Sequence, residues 1–410
     1  MTFNLFSNVD SSNDDDDVRY ELITTRLFLL LMTGALTVLI FYTGLSLQQK
    51  TVFIDSPSLA TYEALDIKYH NTLTCPCSEM SVKYASFLSF TSTYHQVCTS
   101  SVVSDQWFDY LVHQYSLASY YSDDFRTLIA PHSVVLKAFC QLSQTTVTNA
   151  VVQFNQRIFV SAQVLSDDLF QLQAQAVINL FKSQTSGSFT RLLDLISSMT
   201  QGNNLIPMFD SHFLVGMFGS QGEILPYDGA YEDDNGSPCR CGTSSICTSK
   251  VGIYDSTNGK SLLFTVDGFR TGCWQLEALF QSTLECFFNQ TCFDRIQSLM
   301  NSSVPLNATI LNSTLLINYS TTSTIGTMVK QLMLEQWNAS ISYSHYYNEC
   351  SPSYCMYTYT TRLDTAFMLT SIVSLVGGLS KVLRVVTPLI ILLFRQLRNR
   401  KSQEDEKRKN

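Results

Sequence analysis

Paired cysteines are the residues of this chain with the most evident chemistry. Two Cys-x-Cys motifs occur, Cys75 with Cys77 and Cys239 with Cys241. Paired thiolates bind zinc, but zinc sites usually separate two cysteines by two or more residues. An even total of twelve cysteines fits disulfides better. A one-residue spacing is too short for an internal bridge, so we expect each cysteine to bond elsewhere and to join one loop to two elements.

The other cysteines offer two short-range pairs. Cys286 and Cys292 can close a small loop, and so can Cys350 and Cys355. We predict both local pairs, although spacing alone does not determine connectivity. The full set of disulfide candidates is Cys75, Cys77, Cys98, Cys140, Cys239, Cys241, Cys247, Cys273, Cys286, Cys292, Cys350 and Cys355.

No arrangement typical of an enzyme occurs in the sequence. The His-Glu-x-x-His and Gly-x-Ser-x-Gly motifs are absent, and so is a glycine-rich phosphate loop. The six histidines are isolated. His95 precedes Cys98 by three residues, but a cysteine in a disulfide is not a nucleophile. We therefore predict no enzymatic activity, no metal site and no cofactor.

Asparagine sequons of the form Asn-x-Ser/Thr cluster in one part of the chain. Such a sequon is an acceptor for glycosylation in a secreted domain. Six of the seven fall between residues 289 and 338, which predicts a glycan-covered face. The sequons begin at Asn235, Asn289, Asn301, Asn307, Asn312, Asn318 and Asn338.

A regular set of small, polar and charged residues interrupts the apolar segment 365–394. On a helix, residues separated by steps of four and three share one face. Two interpretations fit this stripe. In one, the cations reach the inner phosphates of a membrane and the chain bends near Pro388, within residues 377–388. In the other, the stripe crosses deeper and faces partner helices or a water-filled pore. Its members are Thr370, Ser374, Gly377, Ser380, Lys381 and Arg384.

Two segments are long enough to span a bilayer, residues 27–47 and 365–394. About 20 apolar residues cross the hydrocarbon core. A cleaved signal peptide is the alternative for the first segment, but its apolar run is longer than a signal core and the preceding residues are acidic. The tail 395–410 contains seven Lys and Arg against three acids, which places it in the cytosol. Residues 1–26 are then a cytosolic acidic tail, and residues 48–364 are extracellular at the plasma membrane.

Composition agrees with a membrane protein. Apolar residues make up 45% of the chain and charged residues only 15%. All cysteines and sequons lie within residues 48–364, as expected for an oxidising compartment. This region carries 15 Lys and Arg against 25 Asp and Glu, a net charge of about −10, which argues against nucleic-acid binding.

The periodicity predicts a mainly α fold with minor β structure. We expect helices capped by Ser104, Ser166 and Ser188 within residues 104–202, a loop-rich stretch at 203–272 that contains a strand at 261–269, and helices at 274–300 and 324–341. In the second of the capped helices, apolar residues recur at helical spacing and predict its core face. They are Leu169, Leu172, Ala176, Leu180 and Phe181.

Several stretches resemble a family of two-pass, cysteine-rich membrane proteins that is abundant in rotifers. They are TLTCPCSEMSVKYASF, TYHQVC, STLECFFNQTC and YYNECSPSYC followed by GGLSKVLRVVTPLI. This resemblance implies architecture without a particular activity. The topology also resembles that of degenerin/epithelial sodium channels and ATP-gated trimeric channels, and Gly378–Ser380 is similar to the Gly-x-Ser selectivity motif of the former. Two features depart from that pattern, since no His-Gly pair precedes the first segment and Lys381 and Arg384 follow the motif.

Two functional hypotheses follow. The first is a cell-surface glycoprotein that acts as a receptor or interaction protein through an extracellular ligand. The second is an oligomeric ion-channel subunit, with the second membrane helix lining the pore and its cations favouring anions. The predicted partners are the lipid bilayer and, for the channel, further copies of the chain.

Overall fold

The computed structural model describes residues 5–6, 15–113, 120–121, 123–202, 214–218, 223–227, 230–233, 236–241, 244–255, 260–300, 302, 306, 308–362 and 364–409. The chain forms two compact units. The terminal unit comprises residues 1–76 and 352–410, and the central unit comprises residues 77–351. The predicted extracellular stretch 48–364 therefore contributes its two ends to the terminal unit.

The fold is mainly α with small two-stranded sheets. The helices are α1 Asp15–Leu45, α2 Leu59–Tyr69, α3 Tyr84–Phe87, α4 Asp105–Val112, α5 Phe125–Asn155, α6 Asp167–Gly202, α7 Gln275–Gln281, α8 Glu285–Phe288, α9 Gln290–Leu299, α10 Ile325–Lys330, α11 Tyr343–Cys350 and α12 Thr365–Lys409. The strands are β1 Leu47–Asp55, β2 Ser81–Lys83, β3 Leu88–Tyr94, β4 Ile158–Val160, β5 Leu214–Phe218, β6 Glu223–Tyr227, β7 Ala230–Glu232, β8 Pro238–Arg240, β9 Thr248–Asp255, β10 Ser261–Gly272, β11 Leu334–Ile341 and β12 Tyr354–Arg362.

The terminal unit is built on an antiparallel ladder between β1 and β12. Nine residue pairs run without a bulge from Leu47 opposite Arg362 to Asp55 opposite Tyr354. Because α1 ends just before β1 and α12 begins just after β12, both long helices leave the same end of the ladder. Residues 48–74, which lack a clear pattern in the sequence, form β1 and α2.

The two long helices of the terminal unit pack against each other. Thr25 and Phe28 of α1 and Thr387 of α12 are buried, and the Arg395 guanidinium lies over the Tyr20 ring at 4.9 Å. Residues 18–45 and 365–398 are long and apolar enough to cross a membrane. The helix α12 is continuous through Pro388, so the bend considered for residues 377–388 does not interrupt it.

The central unit is organised around the long helices α5 and α6. Ser104 caps α4 through its hydroxyl, which accepts the Trp107 N–H as predicted. The prediction that Ser188 caps a separate helix is wrong. The helix α6 runs unbroken from Asp167 to Gly202, so Ser188 lies inside it. Gly187 is the only helix-weakening residue before that point, and one glycine costs only about 1 kcal/mol in a helix.

The predicted core face of α6 is also mostly wrong. Phe181 is buried, but Leu169, Leu172 and Leu180 are exposed. The buried positions of this helix are Phe170, Ala174, Ile178, Phe181, Phe189 and Leu193. Aromatic contacts determine which face of α6 is buried. The Phe170 ring, for example, stacks on the Tyr346 ring with 4.2 Å between the centroids.

Two predicted helices are shorter than the sequence indicates. Residues 274–300 form α7, α8 and α9 rather than one helix, and β10 covers the strand predicted at 261–269. The helix predicted at 324–341 ends at Lys330. Leu332 and Met333 then adopt φ values of 59° and 52°, and residues 334–341 pair with β3. Pairing with a distant strand overrides the local helical pattern here.

Gly268 occupies a position that needs glycine. Its φ is +83°, and a Cβ built on it lies 2.1 Å from the Thr283 hydroxyl oxygen. We expect Gly268→Ala to lower the free energy of unfolding by about 2 kcal/mol, from backbone strain together with the clash. The control is Gly187→Ala in α6, where the added methyl group meets only the Arg191 side chain at 3.5 Å. This control should raise stability by about 0.5–1 kcal/mol, and denaturant titration of both variants measures the difference. Equal effects would contradict the assignment.

Candidate functional site

All twelve cysteines form disulfides. The pairs are Cys75–Cys355, Cys77–Cys350, Cys98–Cys140, Cys239–Cys247, Cys241–Cys273 and Cys286–Cys292. Each Cys-x-Cys motif therefore bonds to two other elements, and the Cys286–Cys292 pair is confirmed. The predicted Cys350–Cys355 pair is wrong, because both residues bond to the first Cys-x-Cys motif. With no free thiol, cysteine provides neither a zinc ligand nor a nucleophile.

In the described part of the chain, no group of three His, Cys, Asp or Glu side chains is arranged to hold a metal ion.

Four sequon asparagines lie on the surface of the central unit. Asn289, Asn312, Asn318 and Asn338 are exposed, as a glycan acceptor must be. The side-chain oxygen of Asn312 accepts the Thr314 N–H at 2.9 Å. Asn235, Asn301 and Asn307 lie outside the described residues.

The small and polar stripe of α12 does not face α1. Thr387 is buried and Leu383 half-buried, and they mark the side that packs on α1. Lys381 lies roughly 140° and Arg384 roughly 80° around the helix from the middle of that side. The stripe residues Thr370, Ser374, Gly377, Lys381 and Arg384 are exposed, and Ser380 is half-buried. The stripe is thus available to lipid, water or another chain.

The distance of Lys381 and Arg384 from the β1–β12 ladder indicates how deeply they would lie in a membrane. Lys381 follows Thr365 by sixteen residues and Arg384 by nineteen. At 1.5 Å per residue these positions are ~24 and ~28 Å along the helix. A hydrocarbon core is about 30 Å thick, so a membrane that begins at Thr365 ends near these cations. This geometry favours the interpretation in which both side chains reach the inner phosphates.

A groove between α5 and α6 is a concave feature of the central unit. It encloses about 660 Å³. The sequence does not reveal it, because the apolar periodicity of α6 was interpreted as a core face. The α5 wall comprises Leu142, Thr146, Asn149, Ala150 and Gln153, and Arg157 lies just past its end. The α6 wall comprises Phe181, Gln184, Thr185, Ser188, Phe189, Arg191, Leu192, Leu193 and Ile196.

Two arginines are the charged residues of this groove. Arg157 and Arg191 are exposed, and neither forms an ion pair with a described residue. The Arg191 guanidinium donates to the Ser188 hydroxyl at 3.1 Å. The groove is therefore a basic site within an acidic region of the chain.

A buried carboxylate connects α5 to β9. Asp124 caps α5 by accepting the Arg126 N–H, and it forms an ion pair with the Arg126 guanidinium at 2.7 Å. It also accepts the Tyr254 N–H at 2.9 Å, while Arg126 donates to the Tyr254 carbonyl oxygen. The pair is satisfied on both sides, as a buried charge requires.

A second buried pair lies beside the sequon-bearing loop. Glu335 sits in a bulge of β11, where its carboxylate accepts the N–H groups of Ile317 and Asn318. The His95 Nε2 lies 3.8 Å from this carboxylate, and burial lowers the pKa of His95 while Glu335 opposes the change. Burial also raises the pKa of Tyr319, next to His95, to about 12. These groups position the loop.

His132 predicts acid sensitivity. It is buried in α5, its Nδ1 donates to the Leu128 carbonyl oxygen, and burial lowers its pKa to about 4. Because the unfolded state binds a proton near pH 6.5 and the folded state does not, stability is complete above that pH and falls as the pH drops toward 4. We expect a loss of roughly 3 kcal/mol over this interval. His132→Leu should flatten this part of a stability–pH curve measured by denaturant titration. An unchanged curve would contradict the assignment.

No protein-family model, curated protein or solved structure matches the chain. The geometry described above is therefore the basis of the functional conclusion.

Proposed function

We propose that the protein is a two-pass cell-surface glycoprotein that binds a partner through its extracellular region. The β1–β12 ladder is the observation that supports two crossings best. It places the end of α1 beside the start of α12. If one of these helices crosses a bilayer, the other can cross the same bilayer in the opposite direction. Both termini then lie on the same side, and the basic tail assigns that side to the cytosol.

The chemistry of residues 48–364 supports an extracellular location. Six disulfides occur there, and disulfides persist in oxidising compartments. The four described sequon asparagines are exposed.

The groove between α5 and α6 supports partner binding. Leu192 and Ile196 on its rim are about half exposed, as is Leu142 across it. Clustered apolar side chains that border a concave surface usually mark an interaction site. Disulfides give the central unit the rigidity that a recognition surface requires.

A photo-crosslinking residue at position 192 tests partner binding in cells that express the full chain natively. We expect a cross-linked species with a second protein from position 192. A crosslinker at Leu172, an exposed residue of α6 outside the groove, should give none. Cross-linking that is absent at position 192, or equal at both positions, would contradict the proposal.

A channel subunit is the second candidate, and the exposed stripe of α12 favours it. Because Lys381 and Arg384 face away from α1, further copies of the chain can place them around a central pore. In that case the solubilised protein should be a stable oligomer, and Lys381→Ala with Arg384→Ala should change its anion current. A monomer without current would exclude the channel.

A further inference from the structure

The groove between α5 and α6 has the dimensions of a site for one helix. One wall runs from Leu142 on α5 to Arg157 just past the end of that helix, and the other runs from Phe181 to Ile196 on α6. Each wall therefore spans about 22 Å, or four turns. A groove of this length between two helices is long enough for a third helix to lie along it.

The floor and rim of the groove require an amphipathic occupant. Phe181, Phe189 and Leu193 are buried at its base, whereas Leu142, Leu192 and Ile196 are about half exposed along its sides. A helix with apolar residues at intervals of three and four would cover these side chains. Amides and hydroxyls line the remainder, including Asn149, Gln153 and Gln184, and they fit the polar edge of such a helix.

The charge of the groove determines which charge the polar edge of a bound helix should carry. Arg157 and Arg191 border it, and none of its described lining residues is acidic. The surrounding extracellular region carries a net charge of about −10, so two guanidinium groups that form no ion pair with a described residue are a local reversal of sign. Guanidinium groups bind carboxylates through paired hydrogen bonds.

The positions of the two arginines determine how far apart the carboxylates of a bound helix should be. The Phe154 and Phe181 rings lie 4.5 Å apart, which places the Arg157 end of the first wall near Phe181. The Arg191 guanidinium donates to Ser188, seven residues further along α6. This separation is about 10 Å along the groove. On a bound helix, acidic residues seven positions apart lie about two turns apart on one face and match it.

We infer that the groove binds an acidic amphipathic helix of a partner protein, whose carboxylates pair with Arg157 and Arg191. The inference rests on the proposed function, because it names the class of partner that the extracellular region recognises. Electrostatic complementarity of this kind contributes more to selectivity than to affinity.

The test uses the full-length protein in nanodiscs of neutral phosphatidylcholine and two labelled helical peptides. Both peptides carry leucines at intervals of three and four, one with glutamates seven positions apart and the other with lysines at the same positions. Fluorescence anisotropy should show about tenfold tighter binding of the glutamate peptide at low salt, with the difference reduced by added salt. Equal binding of the two peptides, or binding of neither, would overturn the inference.

Charge reversal makes the test independent of folding defects. Arg157→Glu with Arg191→Glu should invert the preference, so that the lysine peptide binds better. A misfolded protein would not gain this selectivity. The matched control reverses two exposed cations elsewhere, Lys250→Glu with Arg295→Glu, and should keep the original preference. An unchanged preference in the groove variant, or inversion in the control, would overturn the inference.

Apolar contacts supply a second pair of variants. Leu192 lines the groove and is 53% exposed, whereas Leu195 is 55% exposed and lies outside it. Leu192→Ser should lower the affinity for the glutamate peptide about tenfold, and Leu195→Ser should change this affinity by no more than about twofold. Equal losses would overturn the inference. Peptide binding is measured on purified protein, so its failure is distinct from a failure of the surface topology, which glycan accessibility on intact cells reports.

Discussion

Replacement of Cys75, Cys77, Cys350 and Cys355 by serine is expected to remove most of the mature protein from the cell surface. The Cys75–Cys355 and Cys77–Cys350 disulfides close nearly the same loop, across sequence separations of 280 and 273 residues, so either one alone restrains the unfolded chain. Removal of both releases a loop whose closure contributes about 5 kcal/mol. Most small domains have a total stability of that order. Surface biotinylation should show at least a tenfold loss, and the retained protein should remain inside the cell.

The Cys286–Cys292 disulfide is the matched control. It closes a loop of only six residues, for which the same reasoning gives about 2 kcal/mol. Its double serine variant should reach the surface in reduced but measurable amount and unfold at a lower temperature. Equal surface levels of the quadruple and the double variant would contradict the role assigned to the two longer bridges.

Asp124→Ala is expected to lower the free energy of unfolding by about 3–5 kcal/mol. The carboxylate is fully buried, and its removal leaves the Arg126 guanidinium without its ion-pair partner. The N–H of Tyr254 also loses its acceptor, so the connection from α5 to β9 is weakened. Denaturant titration of the purified protein measures the change.

Two variants separate the causes of this loss. Asp124→Asn keeps an acceptor for the cap but removes the charge, so its effect should be smaller than that of alanine. Asp123→Ala removes the neighbouring carboxylate, which pairs with the more exposed Lys260 at 2.6 Å. Its expected cost is about 1 kcal/mol. A cost for Asp123→Ala as large as that for Asp124→Ala would contradict the account.

Local signals in the sequence predicted much of this structure correctly. The apolar segments, the cap at Ser104 and the Cys286–Cys292 pair depend on residues that are close along the chain. The division of each Cys-x-Cys motif between two partners followed from geometry alone. These features need no knowledge of distant contacts.

Other features depend on residues that are distant along the chain, and the sequence did not predict them. The ladder joins β1 to β12 across about 300 residues, so neither strand has a local partner that identifies it. The same fold brings Cys350 to Cys77 and Cys355 to Cys75, which is why the local pair was wrong. On α6, the leucines predicted to form the core remain exposed because aromatic contacts to Tyr346 select a different face.

The candidate groove was missed for a related reason. Apolar periodicity identifies a face that avoids water but does not say whether the same chain covers it. The two arginines were present in the sequence, yet only the packing of α5 against α6 brings Arg157 and Arg191 to one surface. By contrast, the stripe residues of α12 all lie on one helix, as the sequence predicts, because their placement depends only on local structure.

Glycan accessibility on intact cells tests the central claim, two crossings with residues 48–364 outside, most directly. The protein would carry an epitope tag at each terminus, and intact cells would be treated with an endoglycosidase. The account predicts that treatment lowers the apparent mass of the protein. This shift should disappear when Asn289, Asn312, Asn318 and Asn338 are replaced together with the other three sequon asparagines. Antibodies should reach the two tags only after permeabilisation. An unchanged mass after treatment, or a tag accessible on intact cells, would contradict it.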